Sequence, residues 1–273
     1  MRLLITNDDG IRAPGLRALA LAAAQAGHDV TVAAPHQEQS GAGAALSAVT
    51  DQGRVVLEPV PFDGLRAFSV AASPAYIAVL AALEVFGPAP DALLSGINRG
   101  ANAGHAILHS GTVGAALTAA NEGLRALAVS LDVLTSLPSA SQSVQEFFRE
   151  REGEVLHWPT AATLAVRLLP RLAAAPPSTV LNLNVPDRPL PELRGLRRAT
   201  PAPFGQVRMA VAEAAAGFAR ITVEVREDAS PPGTDLALLT DGYATLTALR
   251  PPSEDPDLLV VEDLGDGQAG GRP

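Results

Sequence analysis

A chain of 273 residues with 47% hydrophobic content is long enough for one large domain or two small ones around a well-packed core. Its net charge of −9 opposes broad association with nucleic-acid polymers or anionic membranes, which rests on repeated Lys/Arg contacts to negative charge. There is no cysteine and all 20 basic residues are arginine, which excludes disulfides, thiolate metal ligands, cysteine nucleophiles, a phosphate-loop lysine and a Schiff-base lysine.

Residues 2 to 6 form an apolar run that predicts a short buried strand, stopping abruptly at Asn7-Asp8-Asp9-Gly10. No basic stretch with an apolar segment comes before it, and no apolar run approaches the length of a membrane span, so a cytoplasmic location is expected. An Ala/Leu-rich segment from about Gly15 to Ala26, stopped by Gly27, predicts a helix, and His28 to Ala34 predicts a second strand. Strand, helix and strand at this spacing predict a right-handed βαβ unit on a parallel sheet, whose ligands bind beyond the carboxyl ends of the strands. A Gly/Ala/Ser loop follows from Gln39 to Ser47, then a hairpin around Gln52-Gly53, a helix from Pro74 to Phe86 and a strand from Asp91 to Leu94. That strand runs into a glycine-rich loop, "SGINRGANAG", which feeds a helix behind Ser110-Gly111-Thr112, and Ala126 to Leu131 gives one more buried strand. A doubly wound core is expected through about residue 130.

The second half is less regular. A polar stretch, Ser136 to Glu154, precedes a predicted helix from Thr160 to Ala174 and a strand in "TVLNLNVP". Beyond Pro186, Leu193 to Ala199, Val207 to Val211 and Phe218 to Val225 predict antiparallel strands suited to a protruding arm or partner contact. The Pro/Gly/acid-rich end is expected to fray.

Chemistry concentrates at the ends of the early strands. Adjacent carboxylates repel, so Asp8-Asp9 calls for a cation or a reorienting turn. A hard divalent metal suits carboxylate oxygens at a strand end, and an Asx-type turn is the competing reading. Ser40, at the same sheet edge, offers a hydroxyl to a metal or a phosphate, or caps a helix. Asn98 and Asn102 offer amide groups, and Ser110-Gly111-Thr112 forms an anion site, because free N–H groups and the positive dipole end of a helix start favour phosphate. His105 and His109 lie in the same loop without a third soft ligand, which argues against zinc and for a solvated loop residue, a substrate contact or an acid/base role near neutrality. Gly41-Ala42-Gly43 begins a dinucleotide fingerprint that Leu46 spoils, so an oxidoreductase reading loses its support.

In order along the chain, Asn-Asp-Asp-Gly, Ala-Pro followed by Gln-Ser-Gly, "SGINRGAN", "SGTV" and "NEG" resemble the SurE family of metal-dependent nucleotidases. "ALAVSL", "LNLNVP" and "TDLALLTDGYATLTAL" extend the resemblance over most of the chain. It implies an α/β, Rossmann-like three-layer core of parallel strands over residues 1–186. Beyond it, it implies a β-rich dimerisation extension over 187–250, a hairpin arm with a helix and strand, and an acidic tail over 251–273. The implied activity is hydrolysis of nucleoside 5′- or 3′-monophosphates with one divalent cation, Mg²⁺ or Mn²⁺, per subunit. By motif, Asp8, Asp9, Ser40 and Asn98 match the metal ligands, with Asp8 and Asp9 at the catalytic centre. Asn102, Ser110, Gly111 and Thr112 match positions lining the phosphate. The implied partners are the nucleotide substrates and further copies of the chain, as a dimer or a tetramer. Two features depart from the family pattern: Ala72-Ser73-Pro74-Ala75-Tyr76-Ile77 lacks an acid usual there, and His105 and His109 stand where acids and a tyrosine are usual. A non-catalytic nucleotide-binding module on the same fold is the competing expectation.

Overall fold

Leu3, Leu4, Ile5 and Thr6 are all buried, as they must be in a parallel strand covered by helices on both faces. The computed structural model describes residues 1–39, 41–134, 155–215, 218–225 and 229–252. Ser40, the polar stretch from Ser136 to Glu154 and residues 253–273 lie outside the described residues.

In chain order the strands are β1 (Arg2–Thr6), β2 (Asp29–Pro35), β3 (Thr50–Asp51), β4 (Arg54–Val55), β5 (Leu57–Pro59), β6 (Arg66–Val70) and β7 (Ala92–Arg99). They continue as β8 (Arg125–Asp132), β9 (Val180–Pro186), β10 (Leu196–Arg198), β11 (Val207–Ala215), β12 (Phe218–Val225) and β13 (Ala244–Leu249). The helices are α1 (Pro14–Gln25), α2 (Pro74–Ala82), α3 (Gly111–Asn121), α4 (Trp158–Ala174) and α5 (Asp235–Thr240), with a 3-10 turn at Gly104–His109. Nine strands form one sheet in the order β10-β13-β9-β8-β7-β1-β2-β6-β5. The six from β6 through β2, β1, β7 and β8 to β9 are parallel, and β5 and β13 run antiparallel to their core neighbours.

From β1 the chain winds outward through β2 to β6, then crosses back to β7 and winds the other way. The topological switch therefore falls between β1 and β7, and doubly wound sheets bind their ligands beyond the carboxyl edge at such a point. Asn7-Asp8-Asp9-Gly10 and the segment from Gly100 to Ser110 are the loops that leave the two strands. One face of the sheet packs Leu3, Ile5, Leu94, Val129 and Leu183 against α1 and α4, and the other packs Leu4, Leu93 and Ala128 against α2 and α3.

Three local expectations change and one holds. The strand expected to end at Leu94 continues to Arg99, through a register shift between Ser95 and Asn98, so Asn98 stands on a strand rather than in a loop. The helix expected to reach Phe86 stops at Ala82, where Glu84 takes a positive φ of 61° and turns the chain. Val207–Ala215 and Phe218–Val225 form the expected antiparallel hairpin, a separate two-stranded ladder. Leu193–Ala199 does not join it, because Leu196–Arg198 runs parallel to β13 at the border of the central sheet. Ala244 N donates to Gly195 O at 2.9 Å and Ala199 N to Leu246 O at 3.0 Å, which fixes that pairing. The central sheet thus contains residues on both sides of Pro186.

Candidate active site

The first element of the site is the turn that ends β1. Asn7 is fully buried and its Nδ2 donates to Gly10 O at 3.1 Å, folding the chain back on itself. Asp8 is buried too, and its carbonyl accepts from Gln39 N at 2.7 Å, tying the turn to the loop that leaves β2. Ile11 N donates to Pro35 O at 2.9 Å and strengthens the same junction.

The Asp8 carboxylate lies against the start of α3. Thr112 Oγ1 donates to Asp8 Oδ1 at 2.5 Å, and Thr112 N donates to Asp8 Oδ2 at 3.2 Å. A Cβ on Gly111 would stand 2.8 Å from both Cβ and Oδ2 of Asp8, so only glycine allows the carboxylate to approach this closely. Ser110 caps α3, its Oγ accepting from Val113 N at 3.0 Å. The expectation for Thr112 was a phosphate contact; in the structure both of its donors engage Asp8, because the carboxylate occupies the positive end of the helix.

Burial raises the Asp8 carboxyl above the ordinary carboxylate range. Burial, reinforced by the negative charges of Asp8 and Glu38, pushes Asp9 up to about 7. The Arg99 main-chain donor and guanidinium oppose this without cancelling it. Two neighbouring carboxylates in a desolvated turn make an anionic, oxygen-rich set, and such a set suits a hard divalent cation. Asn98 Nδ2 donates to Gly100 O at 2.8 Å, which leaves the amide oxygen as its free donor atom. Asn7 Oδ1 is a further buried oxygen without a hydrogen-bond partner among the described residues. Among those residues no group of three His, Cys, Asp or Glu side chains converges. The donors present are two carboxylates with amide oxygens, which fit Mg²⁺ or Mn²⁺ and not a His/Cys zinc site.

Asn102 sits in the loop that leaves β7, in an unusual setting. Its N–H donates to Asn184 Oδ1 at 2.8 Å, and its carbonyl accepts from Asn182 Nδ2 at 2.8 Å and Asn184 Nδ2 at 3.0 Å. Its own Nδ2 donates to Ser130 Oγ at 2.9 Å. Two residues on, Gly104 N donates to the buried Asp235 carboxylate at 2.8 Å, and the 3-10 turn begins. His105 and His109 are exposed on that turn. Ser130, Asn182, Asn184 and Asp235 fall within "ALAVSL", "LNLNVP" and "TDLALLTDGYATLTAL" but are not among the candidate site residues read from the sequence. The alternation in "LNLNVP" carries the signal of Asn182 and Asn184, since it puts two asparagines on one face of a buried strand where apolar residues belong.

A doubly wound sheet with an acidic pair and a helix start at its switch point defines an α/β protein with a candidate site rich in oxygen donors. The family model described as "Survival protein SurE" matches residues 3–206, and the chain belongs to that family. It is 37% identical to "5'-nucleotidase SurE" of Solidesulfovibrio magneticus, over 92% of this chain and 91% of that one. The corresponding protein of Nitratidesulfovibrio vulgaris is 38% identical over 99% of this chain and 95% of its own. The crystal structure of the SurE protein from Aquifex aeolicus shares the fold, with a TM-score of 0.72 at 24% identity over 95% of this chain and 97% of that one.

Proposed function

We propose that the protein hydrolyses nucleoside 5′-monophosphates to nucleoside and inorganic phosphate, with 3′-monophosphates as further substrates. The observation that carries this reading is the buried Asp8 carboxylate, fixed by Thr112 against the first turn of α3 at the switch point of the sheet, with the half-buried Asp9 next to it. The names of the relatives agree with it.

Asp8, Asp9, Ser40 and Asn98 would hold one divalent cation, Mg²⁺ or Mn²⁺, which when bound supplies charge neutralisation and polarisation of the phosphoryl oxygens. Thr112 locks the orientation of Asp8, so that carboxylate is a fixed ligand and not a swinging base. Ser110 accepts from Val113 N through its oxygen, which leaves its hydroxyl proton free to donate to a phosphoryl oxygen. The Gly111 N–H, at the positive end of α3, offers a second donor, and Asn102 lines the same phosphate. Water attacks phosphorus in line, the bond from phosphorus to the ester oxygen breaks, and that oxygen leaves as the nucleoside hydroxyl once protonated. His105 and His109, exposed on the 3-10 turn, would contact the nucleoside or deliver that proton.

No helix among the described residues is long and apolar enough to cross a membrane. We assign the protein to the cytoplasm, acting as a homodimer joined through the β11–β12 hairpin, with pairing of dimers into a tetramer as the next level.

The test is phosphate release from a panel of nucleoside monophosphates after chelation and again after Mg²⁺ or Mn²⁺ is restored. Activity that returns with the metal and falls by on the order of 10²-fold or more in Asp8→Ala and Asp9→Ala is the expected result. Nucleotide binding without metal-dependent release would make the chain a binding module instead.

A further inference from the structure

Asn182 and Asn184 share one face of β9, and the strands on either side place Ser130 and Thr245 beside Asn184. This polar stripe lies under the segment that leaves β7. Asn184 acts there as a peptide group would: Oδ1 accepts the Asn102 N–H while Nδ2 donates to the Asn102 carbonyl. A loop residue is thereby hydrogen-bonded as if it belonged to a strand. Three residues' side chains converge on Asn102, and Ser130 fixes the direction of its amide. At the other end, buried Asp235 accepts Gly104 N at 2.8 Å, Ala202 N at 2.9 Å and Leu236 N at 2.9 Å. Gly104 cannot yield there, because a Cβ would stand 1.8 Å from Phe204 O.

We propose that Asn184 and Asp235 are positioning residues that clamp the segment from Asn102 to Gly104 at its two ends, and so set the protein's affinity for the phosphate group. The proposal rests on the reading of Asn102 and Ser110 as phosphate-facing residues. Tertiary structure could hold a loop by apolar packing alone. Here buried side chains 82 and 131 residues downstream satisfy the main-chain groups of Asn102 and Gly104, which fixes position and orientation together. Each of these groups is costly to leave unpaired, so the clamp has one stable arrangement.

The experiment uses the full chain with Mg²⁺ present and inorganic phosphate as the probe. Asn184→Leu, Asn184→Asp and Asp235→Asn are compared with wild type and with Thr247→Val, a buried residue of the same sheet face that donates only to Ala199 O. Calorimetry gives the phosphate dissociation constant, kinetics give kcat and KM, and amide exchange reports on residues 102–105. The expected result is a tenfold or greater weakening of phosphate binding in Asn184→Leu and Asp235→Asn, with faster exchange over 102–105. KM should follow the dissociation constant while kcat changes less. Asn184→Asp keeps the acceptor for the Asn102 N–H and should fall between wild type and Asn184→Leu, and it stands in should the leucine variant not fold. Thr247→Val should lower the thermal midpoint without weakening phosphate binding. Wild-type phosphate affinity in both Asn184→Leu and Asp235→Asn overturns the proposal, whatever their thermal midpoints. A wild-type chain that binds phosphate but hydrolyses no nucleotide defeats the nucleotidase reading alone, and the ranking of affinities still decides the clamp. A wild-type chain that binds no phosphate overturns both.

Discussion

Thr112 grips both oxygens of Asp8 across 104 residues of sequence, through its hydroxyl at 2.5 Å and its backbone N–H at 3.2 Å. The hydroxyl can be removed without touching the backbone donor. Thr112→Val should therefore cost about 1.5–3 kcal/mol, the range for a hydrogen bond to a charged group, and lower kcat/KM roughly 10–100-fold as Asp8 loses its fixed direction. Thr112→Ser keeps the donor and should retain most activity. Steady-state kinetics and thermal unfolding of the two variants check this, and a loss in Thr112→Ser with none in Thr112→Val would show that the methyl group, not the hydroxyl, matters.

Gly111 faces a different constraint. With a Cβ due 2.8 Å from Asp8 Oδ2, Gly111→Ala must push the carboxylate away from α3 or shift the helix itself. A displacement near 1 Å at a reacting centre costs on the order of 10²-fold in rate. We expect that loss in kcat/KM, with far-UV circular dichroism unchanged.

The Asp9 carboxyl, raised from 3.8 to about 7 by burial, predicts the sign of a pH effect in the metal-free protein. A raised acid binds a proton more tightly in the folded state, so it favours folding most below pH 3.8 and progressively less as pH climbs to about 7, after which the effect is flat. Asp9→Asn should remove this dependence and stabilise the metal-free chain at pH 8 by roughly a few kcal/mol at most. Adding Mg²⁺ or Mn²⁺ should stabilise the wild type at pH 8 and do much less for Asp9→Asn. Thermal midpoints with and without metal from pH 5 to 8 test both statements.

The β11–β12 ladder pairs with no strand of the central sheet. Replacing the hairpin by a short linker should leave the sheet's circular dichroism intact and reduce the sedimenting species to a monomer. A dimer that survives the deletion would move the self-association surface elsewhere.

Legibility in the sequence followed how local the physics was. The Asp8-Asp9 turn stood out because an apolar run broke within one residue, and α3 was announced by Ser110 and Gly111 in its cap. Asn98 is harder to place, since Gly96 and Gly100 read as loop while pairing with β8 alone carries β7 from Ser95 through to Arg99. The alternation in "LNLNVP" marks Asn184 as a polar residue on a buried strand, but its partner is 82 residues away and nothing local names it. The job of Thr112 was likewise hidden: a helix start attracts anions, and the sequence does not say that the first anion is the protein's own aspartate. β10 and β13 reached the central sheet through pairings between distant segments, which no periodicity reports.

The position of β13 bears on how the molecule is made. It lies between β9 and β10 in space yet is last of the three in the chain, running antiparallel to β9. During synthesis from the amino terminus, β9 must wait with one flank bare until Leu249 has left the ribosome, and β10 has no neighbour at all until then. Asp235, which anchors Gly104, arrives just as late. The parallel core can assemble early, but the switch point between β1 and β7 acquires its final shape only when nearly the whole described chain is available, so a nascent or truncated chain would carry the acidic pair without a finished place to use it.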